Sequence, residues 1–214
     1  MPPRVLLTGF EPFGPHAVNP SELVLRPLSA RPPGGAVVST RVLRVSYRDA
    51  FAPVREALED ERFDAVVLMG VAARRGALSF ERVAVNRRGG AQTDNDGVLL
   101  AESRIDPAGP AACFSTLPMA ALAESARAAG APAELSDDAG TFLCNQVLYE
   151  TLRHCDRREL RTRVGFVHLP MLPDAAAPGE PSLDERTLLL GLAAVLAYVV
   201  ALPPPGPALE PRDS

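Results

Sequence analysis

Few side chains in this sequence can do covalent or acid–base chemistry. Its 214 residues include three cysteines (Cys113, Cys144, Cys155) and three histidines (His16, His154, His168). Cys144 has the most suggestive setting. It follows AGTFL and opens a predicted helix, CNQVLYETL, where the positive end of the helix dipole favours a thiolate. Gly140 permits a tight turn just before that helix, and backbone N–H groups at such a turn can hold a developing oxyanion. The competing reading is a small buried hydrophobe, the usual fate of a cysteine. That reading is adopted for Cys113 and Cys155, which lack such a setting.

His168 ends a predicted buried strand, GFVHL. Catalytic groups of open α/β sheets collect at the carboxyl ends of strands. A core histidine held by backbone hydrogen bonds is the alternative. His154 lies among charges late in a helix (LRHCDRR) and reads as a solvated residue favoured near a helix C-terminus. His16 sits in a loop and receives no role. A cysteine–histidine pair would therefore be Cys144 with His168, and it needs a third group to fix the imidazole tautomer. Two carboxylates are candidates. Glu81 lies inside an apolar, strand-like run (FERVAVN), where it either enters a polar site or marks the solvent face of an alternating strand. Asp94, in TDNDG, either serves the site as an auxiliary group or makes an ordinary Asx turn. Phe10 and Phe13 lie on a glycine- and proline-stiffened loop, where they either wall a small apolar pocket or pack on the core.

Composition narrows the chemistry further. All 22 basic residues are arginine. Without lysine there is no Schiff base, no pyridoxal-phosphate anchor, no Ser-Lys dyad and no P-loop lysine. The formal net charge of −4 points to neither nucleic acid nor an anionic membrane. An odd cysteine count with no C-x-x-C argues against a disulfide framework or structural zinc and for a reducing, cytoplasmic setting. The opening MPPRVLLTGFEPFG lacks the pattern of a signal peptide and contains no G-x-G-x-x-G fingerprint. The longest apolar stretch, Leu188 to Leu202, has fifteen residues. A span takes about 20, so this is a buried core helix.

The elements that must position these groups follow from periodicity. Short apolar runs at 4–8, 64–70 and 163–169 read as buried strands, two of them ending in glycine. Residues 36–47 and 80–86 also read as strands. Helices are expected from Ser21, over about 49–62, 117–129 and 144–154, and after a capping box of Ser182 and Glu185. Strands alternating with helices indicate an α/β sandwich with a mostly parallel sheet. Residues 1–202 form one domain, and the proline-rich segment 203–214 is expected to be a disordered tail.

Four blocks, in order and closely spaced, resemble the pyroglutamyl peptidase I (pyrrolidone-carboxylate peptidase) family of cysteine peptidases. They are LLTGFEPFGPHAVNPSE at 6–22, MGVAARRGALSFERVAVN at 69–86 with DNDG at 94–97, DAGTFLCNQVLYETL at 138–152, and GFVHLP at 165–170 with PSL at 181–183. The resemblance implies a single-domain α/β/α sandwich with a mixed, twisted sheet, often assembled into dimers or tetramers. It implies a cytoplasmic hydrolase, without cofactor or metal, that removes N-terminal pyroglutamate from peptides through a thioester. The family's nucleophile falls on Cys144, its histidine on His168 and its acid on Glu81. Its substrate pocket falls on Phe10, Phe13, Asn19, Val71, Phe142 and Leu143. One departure touches the site: where many bacterial relatives carry a loop arginine, this chain has Ala91, followed by Gln92 and Thr93. Arg87 and Arg88 are the candidates to replace it. Two other classes compete with the peptidase. A nucleoside phosphorylase or hydrolase would need a phosphate or ribose site, and a non-catalytic binding module would have lost its chemistry at the Ala91 loop.

Overall fold

The computed structural model describes residues 1–90 and 92–204. Its strands are β1 (Arg4–Phe10), β2 (Val37–Leu43), β3 (Ala65–Val71), β4 (Leu78–Glu81), β5 (Val83–Val85), β6 (Ala112–Phe114), β7 (Ala133–Ser136) and β8 (Arg163–Leu169). Its helices are α1 (Pro20–Leu23), α2 (Leu25–Ala30), α3 (Ala52–Asp60), α4 (Met119–Ala128), α5 (Leu143–Arg157) and α6 (Glu185–Ala201). β1, β3 and β8 are buried along nearly their whole length, as strands covered on both faces must be. The main sheet runs β2-β1-β3-β8-β4-β7. β4 pairs antiparallel with β8, and the other neighbours pair in parallel.

Alternation along the strands sorts side chains to two covered faces. Val5, Leu7, Val67, Met69, Val167 and Leu169 pack with α2, α4 and α6. Leu6, Val66, Leu68, Val164 and Phe166 pack with α3 and α5. The result is the expected α/β/α sandwich with a mixed, mostly parallel sheet. No described helix is long and apolar enough to cross a membrane.

Several elements differ from expectation. FERVAVN is not one strand. The chain leaves the main sheet at Arg82, whose N–H donates to Ser136 O (2.8 Å) and whose carbonyl accepts from Ser115 N (2.9 Å). The remainder, β5, pairs with β6 in a separate two-stranded ribbon. β6 and β7 are too short to show a period in the sequence. Ser182 does not cap the last helix, because it bridges to Met171 in the preceding loop. Asp184 takes that place and accepts from Thr187 N at 3.0 Å. The loop position Ala91 and residues 205–214 of the expected tail lie outside the described residues.

Candidate active site

The β4–β8 pairing brings the first two groups together. In its register Ser79 faces His168 and Glu81 faces Phe166. Glu81 and His168 are therefore diagonal neighbours on the face covered by α5. His168 Nδ1 lies 2.7 Å from Glu81 Oε1. Donation from Nδ1 to this carboxylate leaves Nε2 with the basic lone pair. The Phe166 ring packs on the imidazole, with centroids 4.7 Å apart. Glu81 is fully buried. Burial alone would raise its pKa, but hydrogen bonding and charge from His168, with help from Ser136 and Arg75, outweigh it and hold the carboxyl below its ordinary value.

Asp94 does not reach His168. Its Oδ2 accepts from Tyr47 N (2.9 Å), and its Oδ1 accepts from Asp96 N (3.0 Å) and Val98 N (2.8 Å). It is a buried loop brace of the Asx kind.

The nucleophile candidate comes from α5. Gly140, with φ 76°, makes the tight turn its sequence promised. Phe142 then stands at the N-cap without a side-chain cap, so the first helical N–H groups remain open. Cys144, half-buried, is the second residue of the helix. Its sulfur lies directly over Gly70 of β3: a Cβ on that glycine would come within 2.9 Å of Cys144 Sγ. The expected low pKa is not found. Burial, reinforced by the negative charge of Glu81, pushes the thiol up to about 12 against the smaller opposing effects of its own backbone hydrogen bond and Arg75. The helix dipole is outweighed by desolvation. Alkylation of Cys144 by iodoacetamide should therefore keep rising past about pH 8.5, the ordinary thiol value, when followed on the Cys144 peptide by mass spectrometry. A plateau near neutrality would instead reveal a preformed thiolate.

Cys144 and His168 share a cavity of about 120 Å³ with Phe10, Phe13, Asn19, Val71, Phe142 and Leu143. All six residues expected in the pocket are thus in its lining. Val45 and Ala139, which nothing in the sequence singles out, join them, as does Gln92 of the departing loop. The Phe13 and Phe142 rings lie 6.2 Å apart, and Tyr47 backs Phe142 edge-on at 5.4 Å. Asn19 spends its amide on the chain itself. Its Oδ1 accepts from Ser21 N (3.1 Å) and Ser21 Oγ (2.8 Å), and its Nδ2 donates to Glu11 O (3.0 Å). It shapes the loop that carries Phe13; Phe10, expected on that loop, is instead the last residue of β1.

Three other expectations change. Arg87 pairs with Glu102 on the exposed surface, and Arg88 bridges its backbone to Ser103. Neither lines the cavity. The arginine that does touch the site carboxylate is Arg75, whose Nη1 lies 2.6 Å from Glu81 Oε1. Composition and spacing in AARRG do not distinguish Arg75 from Arg74; the resemblance alone does, because the arginine of the family's A-G-G-R segment falls on Arg75. His154 is half-buried rather than fully solvated: it packs edge-on against Phe51 at 5.8 Å, and burial, with the charge of Arg158, lowers its pKa although Glu59 opposes them. It borders a larger cavity of about 370 Å³ beside the C-terminal half of α5, where Asp106 and Arg153 also lie but no cysteine lines the wall.

The geometry has counterparts. A family model described as pyroglutamyl peptidase matches residues 3–201. The pyrrolidone-carboxylate peptidase of Cupriavidus taiwanensis is 42% identical over 93% of this chain and 94% of its own. That of Gloeobacter violaceus is 42% identical over 90% of this chain and 95% of its own. The crystal structure of pyroglutamyl peptidase I from Bacillus amyloliquefaciens superposes with a TM-score of 0.90 at 31% identity, covering 94% of this chain and 97% of the other. With its fold matched and its sequence related from end to end of the sheet, the chain belongs to the pyroglutamyl peptidase family.

Proposed function

We propose that this chain hydrolyses the amide bond that follows an N-terminal pyroglutamyl residue, releasing 5-oxoproline and the shortened peptide. The shape and chemistry of the cavity carry this reading. Pyroglutamate has no free α-amine, because its nitrogen is locked in a neutral lactam. Its pocket should be small, aromatic and free of carboxylates. Among the described residues lining the cavity, three are phenylalanines and none is acidic. An aminopeptidase that gripped an α-ammonium group would need a carboxylate there.

In the proposed mechanism His168 Nε2 takes the proton of Cys144 as Sγ attacks the pyroglutamyl carbonyl. The raised thiol pKa fits proton removal during attack rather than a standing thiolate. The oxyanion is held by the open N–H groups at the start of α5. When the intermediate collapses, the C–N bond breaks and the Nε2 proton passes to the leaving amine. Water then gives one proton to Nε2, its hydroxide adds to the thioester carbon, the C–S bond breaks, and the proton returns to sulfur. Glu81 orients the imidazole and stabilises the imidazolium in both halves.

A free thiol suits a reducing cytoplasm, which we assign as the compartment, and assembly into homodimers or tetramers is expected by analogy with the family. The deciding assay uses aminocoumarin amides. The pyroglutamyl amide should be cleaved under reducing conditions, while the prolyl and glutamyl amides should not. No cleavage of the pyroglutamyl amide would refute the assignment.

A further inference from the structure

We propose that Arg75 is the positioning residue of this site, fixing Glu81 beneath His168 and tying that carboxylate to the turn that presents Cys144. The proposal rests on the Cys144–His168–Glu81 reading given above. Arg75 comes from the connection between β3 and β4, and its guanidinium bridges two parts of the site. Nη1 reaches Glu81 Oε1 at 2.6 Å, and Nη2 donates to Asp138 O at 2.7 Å. Asp138 in turn anchors the approach to α5, with its Oδ1 accepting from Gly140 N at 2.9 Å. One planar fork therefore sets the end of β4 against the turn before the nucleophile. A guanidinium makes such a two-point contact with a fixed planar fork, where an ammonium has only rotatable donors on one nitrogen.

The electrostatics point the same way. Glu81 Oε1 accepts from both Arg75 and His168, while Oε2 is buried without a hydrogen-bond partner among the described residues. The groups facing Glu81 are Arg75 from the β3–β4 connection, His168 from β8, Ser136 from β7 and, across the site, Cys144 from α5. Arg75 and His168 are the cationic partners in that set, and only His168 changes charge during turnover. A guanidinium keeps its charge at every working pH. Arg75 thus adds a permanent charge to the hydrogen bonds that keep a fully buried carboxylate ionised when the imidazole is neutral. It also opposes the rise in the Cys144 pKa. Arg75 is absent from the cavity lining, so its effect should reach catalysis without reaching substrate affinity.

The test compares Arg75→Gln, Arg75→Lys, Glu81→Gln and the Arg75→Gln/Glu81→Gln double variant on the pyroglutamyl aminocoumarin amide. Arg75→Gln should lower kcat about tenfold with little change in KM, and shift the acidic limb of kcat/KM upward by on the order of one pH unit. The sign follows from charge: without the cation, the Glu81–His168 pair holds a proton to higher pH. Arg75→Lys should restore the limb but not the full kcat. In the Glu81→Gln background, Arg75→Gln should cost little more. An unmoved acidic limb in Arg75→Gln, wild-type kcat in Arg75→Lys, or full additivity with Glu81→Gln would overturn the proposal. Full activity of Glu81→Gln would instead overturn the catalytic reading beneath it. Should Arg75→Gln fail to fold, Arg75→Lys decides by the same kcat and pH criteria.

Discussion

Cys144→Ala is expected to lower kcat by on the order of 10⁴-fold or more while the protein stays folded. The proposed reaction forms and breaks a bond to this sulfur, and no other cysteine can stand in. Cys155 is buried and Cys113 is half-buried, and neither lines the cavity. The fold should survive, because the side chain removed is small and its loss costs on the order of 1 kcal/mol. His168→Ala should be nearly as damaging, since no other ring nitrogen faces the cavity. It too should fold, because Glu81 keeps Arg75 as a partner for its buried charge. The double variant should be little worse than either single one, as groups acting in one chemical step lose their benefit together. Turnover of the pyroglutamyl amide, with thermal melts as the control for folding, checks all three. Retained turnover in both single variants would reject the catalytic roles.

Gly70→Ala is expected to cost about 10²-fold in kcat through displacement of the nucleophile. Gly70 lies on β3 beside His168 of β8, on the face covered by α5. Its missing side chain leaves the space that Cys144 occupies. An added Cβ would come within 2.9 Å of Cys144 Sγ, 2.9 Å of Phe166 Cζ and 3.5 Å of Phe10 Cδ2. The first two are well inside ordinary carbon contacts of about 3.5–4.0 Å. Phe166 is fully buried in the sheet and has nowhere to go. The half-buried thiol must therefore give way, and it moves off its line to His168. Overpacking should also cost about 1–3 kcal/mol of stability. Gly9→Ala is the contrasting control. There the added Cβ would meet the rigid backbone carbonyl of Ser21 at 2.1 Å, so the loss should fall first on the folded fraction. Unchanged kcat in folded Gly70→Ala would show that the sulfur has room the structure denies it.

Much of this was legible in the amino-acid sequence because it is local. Apolar runs ending in glycine mark the central strands, and their parity predicts two covered faces. A cysteine directly after AGTFL, at the start of a 3.6-period segment, places a thiol at a helix start. Four sequence blocks in register identify the family. What the sequence could not decide depends on pairings between distant segments. Glu81 and Asp94 look alike as partners for His168 until β4 pairs antiparallel with β8 and sets Glu81 diagonal to the ring, 87 residues away in the chain. Asp94 is diverted by the backbone of Tyr47, and Ser182 by Met171. The thiol pKa differs from the sequence expectation for the same reason: a helix dipole can be read from sequence, but desolvation is set by what packs over the sulfur. Arg75 is the clearest case. Composition alone requires any side-chain cation at the site, apart from a protonated histidine, to be an arginine, since the chain has no lysine. Only the folded β3–β4 connection, closing on Glu81 and on the carbonyl of Asp138, decides what that arginine touches.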